Sequence, residues 1–197
     1  NSLLDLVVFG RAAGNHIVEA IKSFPVDHKV LPKDAADKTL ARLNRFQSNT
    51  TGENAQDVAD AIRATMQQHA AVFRTQDTLN KGVTEIMKVA QRVNNIQVKD
   101  TSKVFNTALV EALEVDNLIE VAKATMVSAA ARTECRGAHA VYDYEHGADH
   151  PDFPLGRNDK EWMKHTLWYA EGNRLDYKPV NLKPLTVDSV PPKPRTF

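Results

Sequence analysis

Residues 105–136 read FNTALVEALEVDNLIEVAKATMVSAAARTECR. Val115, Leu118, Ile119, Ala122, Met126 and Ala129 step through it by threes and fours, which puts one apolar stripe on a long helix from about Phe105 to Arg136. No proline or glycine interrupts the chain from Val83 to Arg136. That is the composition of helix, since either residue in a helix interior costs stability.

Upstream, Leu79, Val83, Ile86, Ala90 and Val93 step by four and three, close to a heptad seam. Val58, Ile62, Met66 and Phe73 share a face of a third helix. Three long amphipathic helices with short connections predict an antiparallel, spectrin-repeat-like three-helix bundle. A shorter helix over about 35–47, with Ala36, Leu40 and Leu43 inward, leads into it through a turn at Thr51-Gly52, where Asn54 and Asp57 suit a cap.

Downstream the composition changes. Seven of the nine prolines, both tryptophans and all four tyrosines lie beyond residue 141. The spacing there predicts a short helix capped by Asn158, then two β-prone runs joined around Glu171-Gly172-Asn173 as a hairpin. The closing VPPKPRTF is predicted to be extended. The expected class is mainly α with a small α+β tail, divided into residues 1–30, 31–137 and 138–197.

Composition narrows the functional classes. Over 197 residues, 25 Lys and Arg balance 25 Asp and Glu. A chain of zero net charge has no electrostatic footprint for nucleic acid. The single cysteine, Cys135, precludes an internal disulfide or a multi-cysteine metal site within the chain. The most apolar run, Leu3 to Phe9, contains Asp5 and falls well short of the roughly 20 apolar residues of a membrane span.

Four groups of residues could carry chemistry. In the opening NSLLDLVVFGRAAG, Ser2 and Asp5 have capping-box spacing, and the free amides of a first helical turn can hold an anion or an electron-rich carbonyl; a well-capped core helix is the plainer reading. In RTECRGAHA, Arg132, Arg136 and His139 could receive a carboxylate or phosphate. Alternatively they close a helix, with Gly137 left-handed after the last turn. Cys135 among these cations would be either a reactive thiol or a small buried residue. His139, His146 and His150 with Asp143 and Asp149 suggest a metal, yet Gly147 and Pro151 place them in a loop where an i, i+4 spacing does not converge, so no metal ligand is assigned. His69 lies in an apolar stripe, where a hydrogen-bonded core histidine is expected. There is no dinucleotide fingerprint, P-loop or nucleophile elbow.

NSLLDLVVFGRAAG, HAAVFR, ALEVDNLIEVA, RTECRGAHA, DKEWMKHTL and VPPKPRTF, in this order, resemble the C-terminal part of the flavoprotein subunits of the succinate dehydrogenase and fumarate reductase family. WMKHTL and PPKPRTF favour succinate dehydrogenase; fumarate reductase and L-aspartate oxidase are the near alternatives. The resemblance implies that residues 1–30 are the last helix of a FAD-binding domain, with Ser2 and Leu3 contacting the isoalloxazine ring. It implies oxidation of succinate to fumarate in the tricarboxylic acid cycle, with electrons passing through FAD to an iron–sulfur subunit. Membrane anchor subunits and a flavinylation assembly factor are the other implied partners. The implied location is peripheral, on the cytoplasmic side of a bacterial inner membrane or the matrix side of a mitochondrial one.

The family's phosphate-binding glycines, flavin-linking histidine, substrate arginine and proton-delivering arginine have no counterpart here. The expectation is therefore a fragment with no catalytic residue of its own, inactive alone, and self-associating through its first helix. Cys135 stands where the family usually has serine, and Val141 where arginine is common. A rival reading from another class is a free-standing helical scaffold, which would give the first helix a polar exposed face.

Overall fold

The computed structural model describes residues 2–24, 28–147, 149–186 and 188–193, with the side chain of Ser2 excepted. They fall into two compact units, 1–39 and 40–197. The first holds α1 (Ser2–Ser23) and the start of α2 (Asp37–Ser48). Every side chain from Leu3 to Ser23 is exposed except that of Ala20, which is half-buried.

The second unit is built on α3 (Ala55–His69), α4 (Gln76–Val93) and α5 (Thr107–Ala131). Their directions follow from two pairs of backbone bridges. Glu53, just before α3, bridges Ile96, just after α4, so those helices run antiparallel. Strand β1 (Phe73–Arg74), just after α3, pairs in parallel with β2 (Ala140–Val141), beyond the end of α5, so α3 and α5 end on the same side. The result is the expected antiparallel bundle.

Its core is the predicted stripes closing on one another. Val58 and Ile62 from α3, Leu79, Ile86 and Val93 from α4, and Val115, Ile119, Ala122, Met126 and Ala129 from α5 are all buried. Gly82 lets the helices meet: a Cβ there would lie 2.6 Å from both His69 Cβ and Met126 Sδ. Each helix begins on a side-chain cap that satisfies a free first-turn amide. Asn54 Oδ1 accepts from Gln56 N, Thr75 and Thr78 form a reciprocal capping box, and Asn106 Oδ1 accepts from Leu109 N at 2.8 Å.

Four expectations are corrected. Phe73 does not continue the stripe of α3: that helix stops at His69, because Thr75 must cap α4 six residues later, and Phe73 is left 69% exposed in β1. In α2, Ala36 and Leu40 face solvent and Leu43 is half-buried; the anchor is Phe46, fully buried one turn further on. Leu118 lies at the edge of its stripe and is exposed. The long helix starts at Thr107 and ends at Ala131, shorter than the sequence suggests at both ends. Phe105 has a positive φ of 55°, so the chain turns sharply into the Asn106 cap, and Arg132 is already extended.

Arg42 and Arg45 fasten α2 to α5 through Asp116, at 2.6 and 2.7 Å. Burial pushes the Asp116 carboxyl up, but the hydrogen bonds and charges of the two arginines outweigh this and hold it below the usual carboxylate range. In the tail, α6 (Asp159–Trp162) is capped by Asn158 as predicted, and β3 (Lys164–Tyr169) pairs antiparallel with β4 (Arg174–Pro179) through the turn at Glu171–Asn173. The hairpin lies against α5. The end of VPPKPRTF, from residue 194, falls outside the described residues.

Candidate functional site

Two places collect the residues singled out by sequence. One is the start of α1. The helix begins at Ser2 with Asp5 in its first turn, beside the positive end of the helix dipole. Leu3 is 78% exposed, and Leu4, Leu6, Val7, Val8 and Phe9 are exposed with it. A scaffold would show a polar face here; this helix shows an apolar one. The Ser2 side chain, and with it the Ser2–Asp5 capping box, lies outside the described residues, as does Asn1.

The other is the segment leaving α5. Its centre is Glu134, a fully buried carboxylate that the sequence reading passed over. It accepts from Arg132 Nη1 at 2.6 Å, from Arg136 Nε at 2.7 Å and Nη2 at 3.0 Å, and from the amide of Asn158 at 2.8 Å. A buried carboxylate is tolerated only when paired in this way. Arg132 also donates to the carbonyls of Trp162 and Lys164 and lies over the Trp162 ring, 4.8 Å from its centroid. Arg136 reaches Asp159 at 2.7 Å. Hydrogen bonds from Arg157, against the cost of burial and with further help from Arg136, hold the Asp159 carboxyl down at about 2.

The geometry rules out the anion-site reading of Arg132 and Arg136 and keeps the helix-closing one only in part. The guanidiniums face carboxylates of the chain itself, so they offer no open anion site. Arg132 is the residue on which α5 ends, its amide donating to the carbonyl of Ala129, but Arg136 lies four residues further on, and Gly137, left-handed with φ of 58°, makes the turn between the bridged residues Arg136 and His139 rather than the helix stop. The arginines tie the tail to the end of α5. Spacing carried one signal for this. In an extended segment residues 132, 134 and 136 point to the same side, and an acid between two bases there forms pairs.

His139 does not join that cluster as a cation. Its Nδ1 lies 2.9 Å from Arg74 Nη1, and its Nε2 lies 2.9 Å from the carbonyl of Arg132. Arg74 can only donate and a carbonyl can only accept, so the ring is neutral with its proton on Nε2. Burial lowers the pKa of His139, and the charges of Arg74 and Arg132 lower it further against the hydrogen bond to the carbonyl. The bond joins the α3–α4 connection to the loop after α5.

Cys135 is half-buried, and its thiol donates to the carbonyl of Val141. Burial pushes its pKa up, which favours the protonated thiol over the thiolate. His146 and His150 stack at 4.4 Å, and His150 Nδ1 accepts from the amides of Asp152 and Phe153. Among the described residues no group of three or more His, Cys, Asp or Glu is placed to hold a metal ion. His69 is half-buried, and its Nδ1 has no partner among the described residues, contrary to the hydrogen bond expected of it. No helix among the described residues is long and apolar enough to cross a membrane.

The family model described as "Fumarate reductase flavoprotein C-term" matches residues 59–197. The chain belongs to that family. Most of the matched span is α3 to β4, so the bundle, the Glu134 network and the hairpin are the family's C-terminal unit as this sequence builds it. The chain is 42% identical over 195 residues to the succinate dehydrogenase flavoprotein subunit of Coxiella burnetii, covering 99% of this chain and 31% of that protein. It is 44% identical over 202 residues to the subunit of the same name from Rickettsia bellii, covering all of this chain and 32% of that protein. The chain thus spans about a third of the length of these relatives. A solved structure of E. coli quinol fumarate reductase superposes with a TM-score of 0.76 at 30% identity, over 97% of this chain and 32% of that one.

Proposed function

We propose that this chain is the C-terminal portion of a succinate dehydrogenase flavoprotein subunit, in which succinate is oxidised to fumarate and electrons pass through FAD to an iron–sulfur subunit. The reading is carried by near-complete coverage of the chain at 42% and 44% identity by two subunits of that name. In it, residues 1–30 are the last helix of the flavin domain, 31–137 the helical bundle and 138–197 the tail. The intact subunit sits peripherally on the membrane with anchor subunits, facing the cytoplasm or the mitochondrial matrix, and takes its flavin with an assembly factor.

What the chain contributes to the flavin is the start of α1. The amides of a first helical turn carry partial positive charge, and Leu3 and Leu4 beside them are exposed. This combination fits a flat apolar ring with an electron-rich edge. FAD, when bound, supplies the acceptor for the hydride. The residues assigned to holding it are Ser2 and Leu3, whose amides would stabilise negative charge developing at the ring edge. In this reading the proton donor and the substrate arginine belong to the portion of the subunit that the chain does not span.

The test is direct. The coding sequence upstream of Asn1 is expected to encode a flavin-binding portion, and the isolated chain is expected to reduce no dye with succinate and to retain no yellow flavin through gel filtration. A flavin-loaded, active preparation of the 197 residues alone would overturn the reading. Fumarate reductase remains the second reading, favoured by the superposition on the E. coli enzyme. Intact-enzyme rates measured in both directions separate the two.

A further inference from the structure

Besides the Glu134 network, the tail meets the bundle at a second place, where the hairpin lies against α5. Three polar atoms along this seam are closed off from solvent and have no hydrogen-bond partner among the described residues. They are Nε1 of Trp168 in β3, Oε2 of Glu120 in α5 and Oδ1 of Asn173 in the turn between the strands. Such atoms are rare in folded proteins, because each has given up its bonds to water without a replacement.

Their neighbours bring them together. Lys123, three residues after Glu120 on α5, bonds the other carboxylate oxygen, Oε1, at 2.7 Å, and its ammonium lies 5.8 Å from the centre of the Trp168 ring. Asn173 donates from Nδ2 to Sδ of Met87 on α4 at 3.6 Å, so its amide is turned from the hairpin onto the bundle. The backbone holds it there: Asn173 has a positive φ of 50°, a conformation that asparagine adopts more readily than most residues.

The chemistry of the three atoms selects what can join them. The indole Nε1 only donates, whereas the oxygen of the Glu120 carboxylate and the amide oxygen of Asn173 only accept. A cation cannot accept from the indole, and a small anion cannot donate to a carboxylate. A group that accepts once, donates twice and is small enough to lie between packed side chains is a water molecule, and buried waters typically make about three hydrogen bonds to polar groups otherwise unpaired. We propose that the seam between the hairpin and α5 is a binding site for one structural water, which accepts from Trp168 Nε1 and donates to Glu120 Oε2 and Asn173 Oδ1. Strand, turn and helix then share one bonded centre, as the tail and the end of α5 share Glu134.

Water-to-indole cross-relaxation in NMR tests this on the 197-residue chain with isotope-labelled tryptophan. A held water gives the Trp168 indole proton a cross-peak at the water frequency whose sign inverts between the laboratory and rotating frames, whereas proton exchange with solvent gives one sign in both. The inverting peak is expected in the parent. Asn173→Gly, which suits the positive φ, and Glu120→Met, of similar length without the acceptors, should each weaken it while the Trp162 indole signal, from a ring bonded to Thr133, stays in place. A folded parent without the inverting peak overturns the proposal, and so does a peak at full strength in either folded variant, since the water then lies elsewhere. Where a variant loses the Trp162 signal, a crystal structure of the parent decides: density for a water within hydrogen-bond distance of all three atoms supports the site, and a direct bond from Trp168 to Glu120 overturns it, as does a seam without such density.

Discussion

α1 and α5 are both long helices rich in Leu, Val and Ala, and the structure treats them oppositely. The apolar residues of α5 lie on a stripe that α3 and α4 cover, and Val115, Ile119 and Met126 are buried. Those of α1 are exposed along its whole length. Sequence alone tells that both helices are made for burial. The partner's identity comes from outside the helix: for α5 it is encoded in the same 197 residues, whereas nothing among the described residues covers α1.

The largest effect that would break this contrast is in the core. Leu79→Ala removes a fully buried side chain from α4 and is expected to cost about 3 kcal/mol in urea unfolding. Leu6→Ala, on a residue 68% exposed, should stay within about 0.5 kcal/mol. A cost above 1 kcal/mol at Leu6 would mean that α1 is buried in the isolated chain as well, and the contrast would go.

Next is Glu134→Gln. It leaves Arg132 and Arg136 without their shared charge in a buried setting, and breaking a buried pair from one side costs about 3 kcal/mol. The loss should come with exposure of Trp162, which Arg132 covers. Tryptophan fluorescence in denaturant measures both. A Glu134→Gln chain as stable as the parent would show that the tail is held by the hairpin packing alone.

Leu79→Ala and Glu134→Gln also mark where sequence reading succeeds and stops. The bundle was legible because stripes at threes and fours are what packed helices need, and the stripes of α4 and α5 landed on the core, Leu118 excepted. Phe46 was within reach, since it lies three residues beyond Leu43 and continues the same stripe. Phe73 was misplaced because the stripe was followed through a helix end that Thr75, as the cap of the next helix, had already fixed. Glu134 was missed because a helix was assumed to run to Arg136, and on a helix residues two apart do not face each other. Once the segment is extended, the same three residues converge. Of the assigned flavin contacts, Leu3 is exposed at the start of its helix, and the side chain of Ser2 is not among the described residues.

A smaller effect separates the loop after α5 from the core by pH. His139 is neutral between Arg74 and the carbonyl of Arg132, with its pKa below the ordinary 6.5. The unfolded chain therefore binds this proton more readily than the folded one. Its contribution to stability is full above about pH 6.5 and declines as pH falls through the folded value. Denaturation midpoints should fall over that range in the parent and fall less in His139→Gln, while Leu79→Ala keeps the parent's slope. Equal slopes in parent and His139→Gln would show that the ring is charged in the fold or leaves its site without cost.

The smallest effect lies at the edge of the same network and has its own pH window. Asp159 is held at about 2, against 3.8 for a free carboxyl, by Arg157 first and Arg136 after burial is offset. A depressed carboxylate stabilises the fold above its unfolded pKa and loses that contribution as pH falls from about 4 towards 2. Its side chain is 43% exposed, so solvent screens the pair and the effect is modest. The informative quantity is where the loss appears. Asp159 opens α6 and is bonded to Arg136, which also holds Glu134, so its protonation should loosen the tail while the three-helix core stays folded. Trp162 fluorescence is then expected to change at a higher pH than the helical circular dichroism signal, and Asp159→Asn should bring the two transitions together. Coincident transitions in the parent would mean that bundle and tail unfold as one unit, and that the Glu134 network joins them too tightly for its outermost pair to give way first.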